Sequence, residues 1–495
     1  MLILTNIQFD LPQVHIPVQI PPRRPESIKG PSALEDVPPE ILAQIFVCYL
    51  ELASKSIHEA RQTLRSTCKE WKTIVDGTAE IWAFLDIRVR EKASASLLGT
   101  VQAWLSRSNR FPLRISFSVD GYGPLVPALG GRLANHILRT LFRHVERWHT
   151  VSFSFGLDPF DTLPSFDEGR TPQILETVEI RSDSYTAPQY KWLGELLQRS
   201  PNLRTFIDSI PPTHASTYIP YISFPKISIL KMNKILDASL ALQLIAEMPI
   251  LEVCHLSLVY DSGHATDSIC SDPPPTWITS YMTELKVTVR GSGKTFFDPL
   301  LVPNLQSFEL HLRSEQMKGP QPEYMAWDFL RQVAFTVTSF TIRNLFMSDG
   351  DLLGCLEILS PNLKTLRILQ SMDELTTLDL YRIENFTGKV ISALSSDDNT
   401  ANYAPLCPKL EVLVLQRCVN ADDGLLSTMV ASRWQKYQTM TLSHCRKESK
   451  DSSVQMSGLF FFDVVFRYHS HEKDREALVA MRQQGLAGCT KFGRA

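Results

Sequence analysis

Pro361-Asn362-Leu363-Lys364-Thr365-Leu366-Arg367-Ile368 is the stretch that decides the fold. A proline leads, an apolar residue follows, two others intervene, and apolar residues then alternate at Leu366 and Ile368. Alternation with a period of two marks a strand with one buried face. The same unit appears as Pro172-Gln173-Ile174-Leu175-Glu176-Thr177-Val178-Glu179-Ile180 and as Pro201-Asn202-Leu203-Arg204-Thr205-Phe206. It returns at Pro225, Pro249, Pro303 and Pro408, the last copy reading Pro408-Lys409-Leu410-Glu411-Val412-Leu413-Val414-Leu415. Successive prolines lie 29, 24, 24, 54, 58 and 47 residues apart. The last three gaps are close to twice the first three, so copies without proline are expected between them. Glu284 to Val289, Ser339 to Leu345 and Leu375 to Leu380 are the candidates.

A period in the twenties with L-x-x-L-x-L spacing resembles the leucine-rich repeat. Each unit supplies one short parallel strand and a return segment. It cannot bury its apolar face alone, so neighbours must stack. The expected fold is therefore α/β, with an irregular leucine-rich-repeat solenoid over residues 166–445, parallel strands inside and helices outside. The leucine positions face the core and the intervening ones face the concave side. On that side Lys231, His255, Glu309, His311, Arg367, Asp379 and Gln416 are the candidate contacts for a protein target. Both signs of charge are mixed there and no basic stripe forms, which disfavours nucleic acid.

The repeats are flanked on both sides. Residues 84–165 alternate as strands at Phe84 to Val89, Leu113 to Val119 and Val151 to Phe155, with helical patterns at Ser94 to Ser106 and Gly131 to Trp148. Residues 446–495 read as a C-terminal cap. Leu459 to Phe466 suits a buried strand, and His471 to Gln484 a charged helix that closes the stack.

Upstream, residues 1–32 form a tail and proline-rich linker, and residues 33–83 read as a helical module. Proline is tolerated in a first helical turn, and Glu40 suits the positive end of the helix dipole. Ile41, Leu42, Ile45, Phe46 and Tyr49 recur as one apolar face. Leu64, Cys68, Trp71 and Val75 recur at helical spacing in a second helix, ended by Gly77. Thr78 caps a short third helix carrying Ile81 and Trp82.

Leu34-x-x-Val37-Pro38-Pro39-Glu40-Ile41-Leu42-x-x-Ile45-Phe46 resembles the first half of an F-box, and Leu64-x-x-Thr67-Cys68-Lys69-x-Trp71 the second. With the repeats, the chain is similar to the large F-box families of mushroom-forming fungi. The resemblance implies a short helical bundle that binds a Skp-type adaptor, and through it a cullin-RING ubiquitin ligase. It places Leu34, Val37, Pro38, Ile41, Leu42, Ile45, Phe46, Leu64, Cys68 and Trp71 at the adaptor. The pattern departs from the family at Thr67, at Glu70 and in a longer loop from Glu51 to Ala60. The function implied is that of a substrate receptor. The alternative is a non-catalytic leucine-rich-repeat scaffold with no ubiquitin role.

Composition fits either reading. The 50 Lys+Arg nearly balance the 53 Asp+Glu, so no global charge steers the chain to nucleic acid or anionic membrane. Nine cysteines, none spaced C-x-x-C, read as buried thiols of a reducing compartment. No secretory signal and no apolar run of about 18 residues is visible. Cytosol or nucleus is the expected address.

No constellation points to catalysis, a metal or a cofactor. Gly291-Ser292-Gly293-Lys294-Thr295 lacks the first glycine of a P-loop and reads as a turn. His469-x-His471 lacks further ligands at metal spacing. His444 and Cys445, neighbours on a strand, would face opposite ways. Asp422 and Asp423 read as caps for a helix from Leu425 to Arg433.

Overall fold

The computed structural model describes residues 37–52, 56–90, 94, 96–119, 130–155, 170–182, 191–209, 225–260, 277–290, 293–313, 327–343, 348–370, 386–395, 405–444, 459, 461–466 and 471–492. It is an α/β structure organised around one sheet of 14 parallel strands. In chain order the strands are β1 (Phe84–Val89), β2 (Leu113–Val119), β3 (Trp148–Phe155), β4 (Thr177–Ser182), β5 (Thr205–Ser209) and β6 (Ile229–Asp237). Then come β7 (Val253–Tyr260), β8 (Ile278–Thr279), β9 (Glu284–Arg290), β10 (Leu300–Leu301), β11 (Ser307–Arg313) and β12 (Ser339–Arg343). The last are β13 (Thr365–Leu369), β14 (Phe386–Thr387), β15 (Val412–Gln416), β16 (Val419–Asn420), β17 (Phe461–Phe466) and β18 (Ala487–Phe492). The large sheet takes its strands in the order of the chain, passing over only the two-residue pairs β8–β10 and β14–β16.

The proline-led octets become a turn followed by a strand, and backbone bonding repeats with them. The carbonyl of Glu176 accepts the N–H groups of both Arg204 and Thr205. The carbonyl of Arg204 does the same for Ser228 and Ile229, and the arrangement recurs at Ser228, Glu252, Thr283, Gln306, Thr338 and Lys364. The residue after proline joins in. Asn202 Nδ2 donates to the Gln173 carbonyl at 2.6 Å, and its Oδ1 accepts from Lys226 Nζ at 3.0 Å. Asn362 repeats this with the Phe335 carbonyl at 2.8 Å and Lys409 Nζ at 2.7 Å. The Pro-Asn and Pro-Lys pairs are thus rungs joining neighbouring units.

Leu363, Leu366 and Ile368 are fully buried, and their apolar equivalents in the other octets are buried too. They share one core with the helices that connect the strands, numbered after three that precede the sheet: α4 (Ser96–Arg107), α5 (Gly130–Phe142), α6 (Lys191–Gln198), α7 (Ala238–Ala246), α8 (Lys294–Phe297), α9 (Trp327–Val333), α10 (Asp349–Leu359) and α11 (Gly388–Leu394). Helix α10 contributes Leu352, Leu356 and Leu359. Where units run wide, aromatics fill the space: Phe308 lies 5.4 Å from Phe329 and 5.7 Å from Phe340, centroid to centroid. The proline-free candidates at Glu284 and Ser339 are strands β9 and β12. Leu375 to Leu380 lies outside the described residues.

Two C-terminal expectations change. The helix α13 (Glu472–Gln483) does not close the sheet, because β18 follows it and pairs in parallel with β17. Helix α12 (Leu425–His444) runs on to His444, which therefore sits on a helix and not a strand; Cys445 lies outside the described residues.

The N-terminal helices are α1 (Pro39–Leu52), α2 (Ile57–Thr67) and α3 (Lys69–Gly77). The continuous second helix expected through Leu64, Cys68, Trp71 and Val75 breaks at Cys68. That residue is extended (φ −154°, ψ 173°), and its Sγ accepts the Trp71 N–H at 3.4 Å as the cap of α3. The residues after α3 form a short 3₁₀ turn, Ala79–Ala83, without a side-chain cap from Thr78.

Buried Arg61 on α2 joins these helices to the sheet. Its guanidinium donates to the carbonyls of Ile81 and Phe84, and stacks 4.8 Å from Trp82 and 5.3 Å from Trp104. Burial lowers its pKa to about 10, which still leaves it charged at neutral pH.

Candidate interaction surfaces

Helix α1 is apolar on two sides. Leu42, Phe46, Val47 and Leu50 are buried, with Phe46 packed 4.7 Å from Trp71. Ile41, Ile45, Tyr49 and Leu52 are 52%, 50%, 44% and 84% exposed. At 100° per residue these four fall within an arc of about 80°, so they form one stripe facing away from the module. A helix needs only one apolar face to fold against its own core. Among the described residues nothing covers the second face.

The predicted adaptor residues divide accordingly. Pro38, Ile41, Ile45 and Cys68 are exposed, Val37 and Trp71 are half-buried against the core, and Leu42, Phe46 and Leu64 are buried. Leu34 lies outside the described residues. The sequence reading treats Ile41 to Tyr49 as a single face; the structure splits it in two and extends the outer half to Leu52. The signal for Leu52 was its place three residues after Tyr49. Glu70, one of the departures from the F-box pattern, lines a separate groove of about 590 Å³ between α1 and α3, with Pro39, Ala43, Lys69 and Ile74.

The second surface is the face of the sheet turned away from the core. One unbroken row of paired residues crosses it: Asp86, Ser116, Ser152, Glu179, Ile207, Lys231, His255, Lys286, Glu309, Thr341, Arg367, Val414, Asp463 and Cys489. Lys231, His255, Glu309 and Arg367 are neighbours or near neighbours on it. His311 and Gln416 lie on the adjacent row, which runs His311, Arg343, Leu369, Gln416. Asp379 lies outside the described residues. Sequence reasoning passed over Lys286 and Arg343 in the two proline-free copies; Lys286 lies on the Lys231 row and Arg343 on the His311 row.

Charges on this face are partly matched. Glu309 accepts from Lys286 Nζ at 2.9 Å and from Arg343 Nε. Burial would raise its pKa, but the bonds from Arg343 and Lys286 outweigh it and hold the carboxyl below its ordinary value. His255 Nε2 lies 2.7 Å from Glu284 Oε1. Burial still lowers its pKa, and nearby Lys231 and Lys286 add to that, so the ring is neutral at neutral pH.

No family model matches the chain, and no curated protein matches it.

Asp423, His471 and Asp474 place ligand-type atoms within 4.8 Å of one another. Their visible work is capping. Asp423 accepts the N–H groups of Lys473 and Asp474 at the start of α13, while Asp474 Oδ1 accepts the Ser427 N–H at the start of α12. The cap expected from Asp423 therefore serves the other helix. His469 lies outside the described residues. Gly293 takes a left-handed φ of 66° and leads into the one-turn helix Lys294–Phe297. Cys254, Cys355, Cys407 and Cys418 are buried, and burial pushes each thiol up, to about 11 for Cys407 and about 12 for the others. Cys48 and Cys68 are exposed. Among the described residues no helix is long and apolar enough to cross a membrane.

Proposed function

We propose that the chain is the substrate-receptor subunit of a cullin-RING (SCF-type) ubiquitin ligase. Helices α1 to α3 are an F-box, docking a Skp-type adaptor and through it a cullin. The sheet is a leucine-rich-repeat solenoid whose solvent face holds a protein target. The receptor carries out no bond chemistry; it raises the local concentration of the target beside a ubiquitin-loaded enzyme. Such a complex works in cytosol or nucleus.

The observation that carries this reading is the stripe Ile41, Ile45, Tyr49 and Leu52. Apolar side chains aligned along one exposed helix face are suited to a partner's groove. The test is capture of a purified Skp-type adaptor by the full chain, with Ile41→Asp/Ile45→Asp as the variant. Leu42→Ala is a poor choice, because Leu42 is buried and its loss would loosen the module itself.

A second reading has its own observation. Arg61 fastens α2 to the start of β1, and Ser56 Oγ donates to Asp86 Oδ2 at 3.2 Å. The module is thereby fixed to the terminal strand of the sheet at Phe84 and Asp86, as the N-terminal cap of a scaffold would be. Failure to capture the adaptor, with the module folded, would favour that reading.

A further inference from the structure

We infer that the sheet face binds an extended acidic peptide segment laid across the strands, held at two points by Lys231 and Arg367. The inference deepens the receptor reading and rests on it only in calling that peptide a substrate.

The face is zoned. Across β2 to β5 its outward residues are mostly hydroxyls: Ser116, Ser118, Ser152, Ser154 and Thr205. Across β15 and β17 they are largely apolar: Val412, Val414, Phe461 and Val465. Between lies a charged zone. On the Lys231 row and the rows directly beside it, β6 to β13 carry the cations Lys231, Lys286, Arg343 and Arg367 against the anions Glu284 and Glu309. The zone is net positive on a chain whose formal charge is −3.

Pairing inside the zone decides which cations face a ligand. Lys286 and Arg343 are both committed to Glu309, while the neutral His255 ring meets Glu284 through a hydrogen bond. Among the described residues neither Lys231 nor Arg367 forms an ion pair. The strand neighbours of Arg367 on its row are Thr341 and Val414, and those of Lys231 are Ile207 and His255. None of these is an acid.

Lys231 on β6 and Arg367 on β13 are five strand steps apart along one row. At about 4.8 Å per step the separation is about 24 Å, which an extended chain spans in about seven residues. The ligand should therefore carry two carboxylates about seven residues apart, with neutral residues between them over the satisfied Glu309 group. Apolar residues should follow beyond the acid at Arg367, over Val414 and Val465. A nucleic-acid backbone suits the zone poorly, because it would bring phosphates onto Glu284 and Glu309.

The test is fluorescence anisotropy with the full-length protein and labelled peptides. One carries glutamates seven residues apart followed by Leu-Val. A second has them three apart, a third has lysines in their place, and a single-stranded RNA of similar length is the fourth probe. The first peptide should bind, weaken with salt, and lose about tenfold or more in affinity on either Lys231→Ala or Arg367→Ala. Ser118→Ala, on the same face outside the zone, should change nothing. No binding by the first peptide, equal binding by the second, undiminished binding to both variants, or preference for RNA would each overturn the inference. Adaptor capture is measured on the same variants: intact capture with failed peptide binding removes this inference alone, and the reverse removes the receptor reading alone.

Discussion

Asp423 and Asp474 cap each other's helices. Asp423 Oδ1 accepts the Asp474 N–H at 3.0 Å, and Asp474 Oδ1 accepts the Ser427 N–H, on the helix that follows Asp423, at 2.7 Å. Two helix starts about fifty residues apart in sequence are closed by one exchange of carboxylates. Asp474 is fully buried, so its loss strands a backbone donor and His471 together. Asp474→Ala should cost about 3 kcal/mol and Asp423→Ala about 1 kcal/mol in urea denaturation. Equal small losses for both would show that the exchange is incidental.

Acid should weaken the fold in two stages. Burial holds His255 and His144 below the ordinary histidine value of 6.5, so the unfolded chain binds their protons first. Their contribution is whole above 6.5 and declines as pH falls below it. Glu309 and Asp474 resist protonation when folded: burial opposes this, but bonds from Arg343 and Lys286, and from His471 and Ser427, prevail. Their contribution is present above ordinary carboxylate values and is lost as pH falls through the lower folded ones. A melting temperature that rises on acidification from neutral to about pH 5 would contradict the histidine sign, and one that rises on further acidification to about pH 3 would contradict the carboxylate sign.

Arg61 should matter more than an average surface arginine. Arg61→Ala removes hydrogen bonds to Ile81 and Phe84 and the stacking on two tryptophans, at a cost of about 3 kcal/mol. Arg61→Lys should not rescue it, because one ammonium cannot reproduce the planar fork. Hydrogen exchange should show the loss concentrated in α1 to α3 and β1, with β11 to β13 protected as before.

Phe308 sits between Phe329 and Phe340 in the middle of the sheet. Phe308→Ala should cost about 4 kcal/mol, read as a shift in the denaturation midpoint. A change under 1 kcal/mol would mean that the core there is loosely packed.

The parallel strands were legible in the sequence because L-x-x-L-x-L is a local signal. Leu363, Leu366 and Ile368 announce their shared face within six residues. β18 was not legible: its Ala487-Gly488 start carries little apolar alternation. Gly488 is there because the backbone of Phe462 leaves no room for a Cβ, a fact that belongs to the neighbouring strand. The exchange between Asp423 and Asp474 is tertiary for the same reason. On α1 the apolar residues were visible but not their division, since spacing tells which residues share a face and not how much of it the module covers. The row from Lys231 to Arg367 needed strand register, which sequence spacing alone does not supply.

The receptor account stands most directly on the outer face of α1. Purified full-length chain, mixed with a Skp-type adaptor, should form a complex stable to gel filtration. Ile41→Asp/Ile45→Asp should weaken it at least thirtyfold, the loss of about 2 kcal/mol typical of a central anchor. The same variant should melt within a few degrees of the parent, because both positions are half exposed. Absence of any complex, or a complex that the double variant leaves undiminished, would contradict the account.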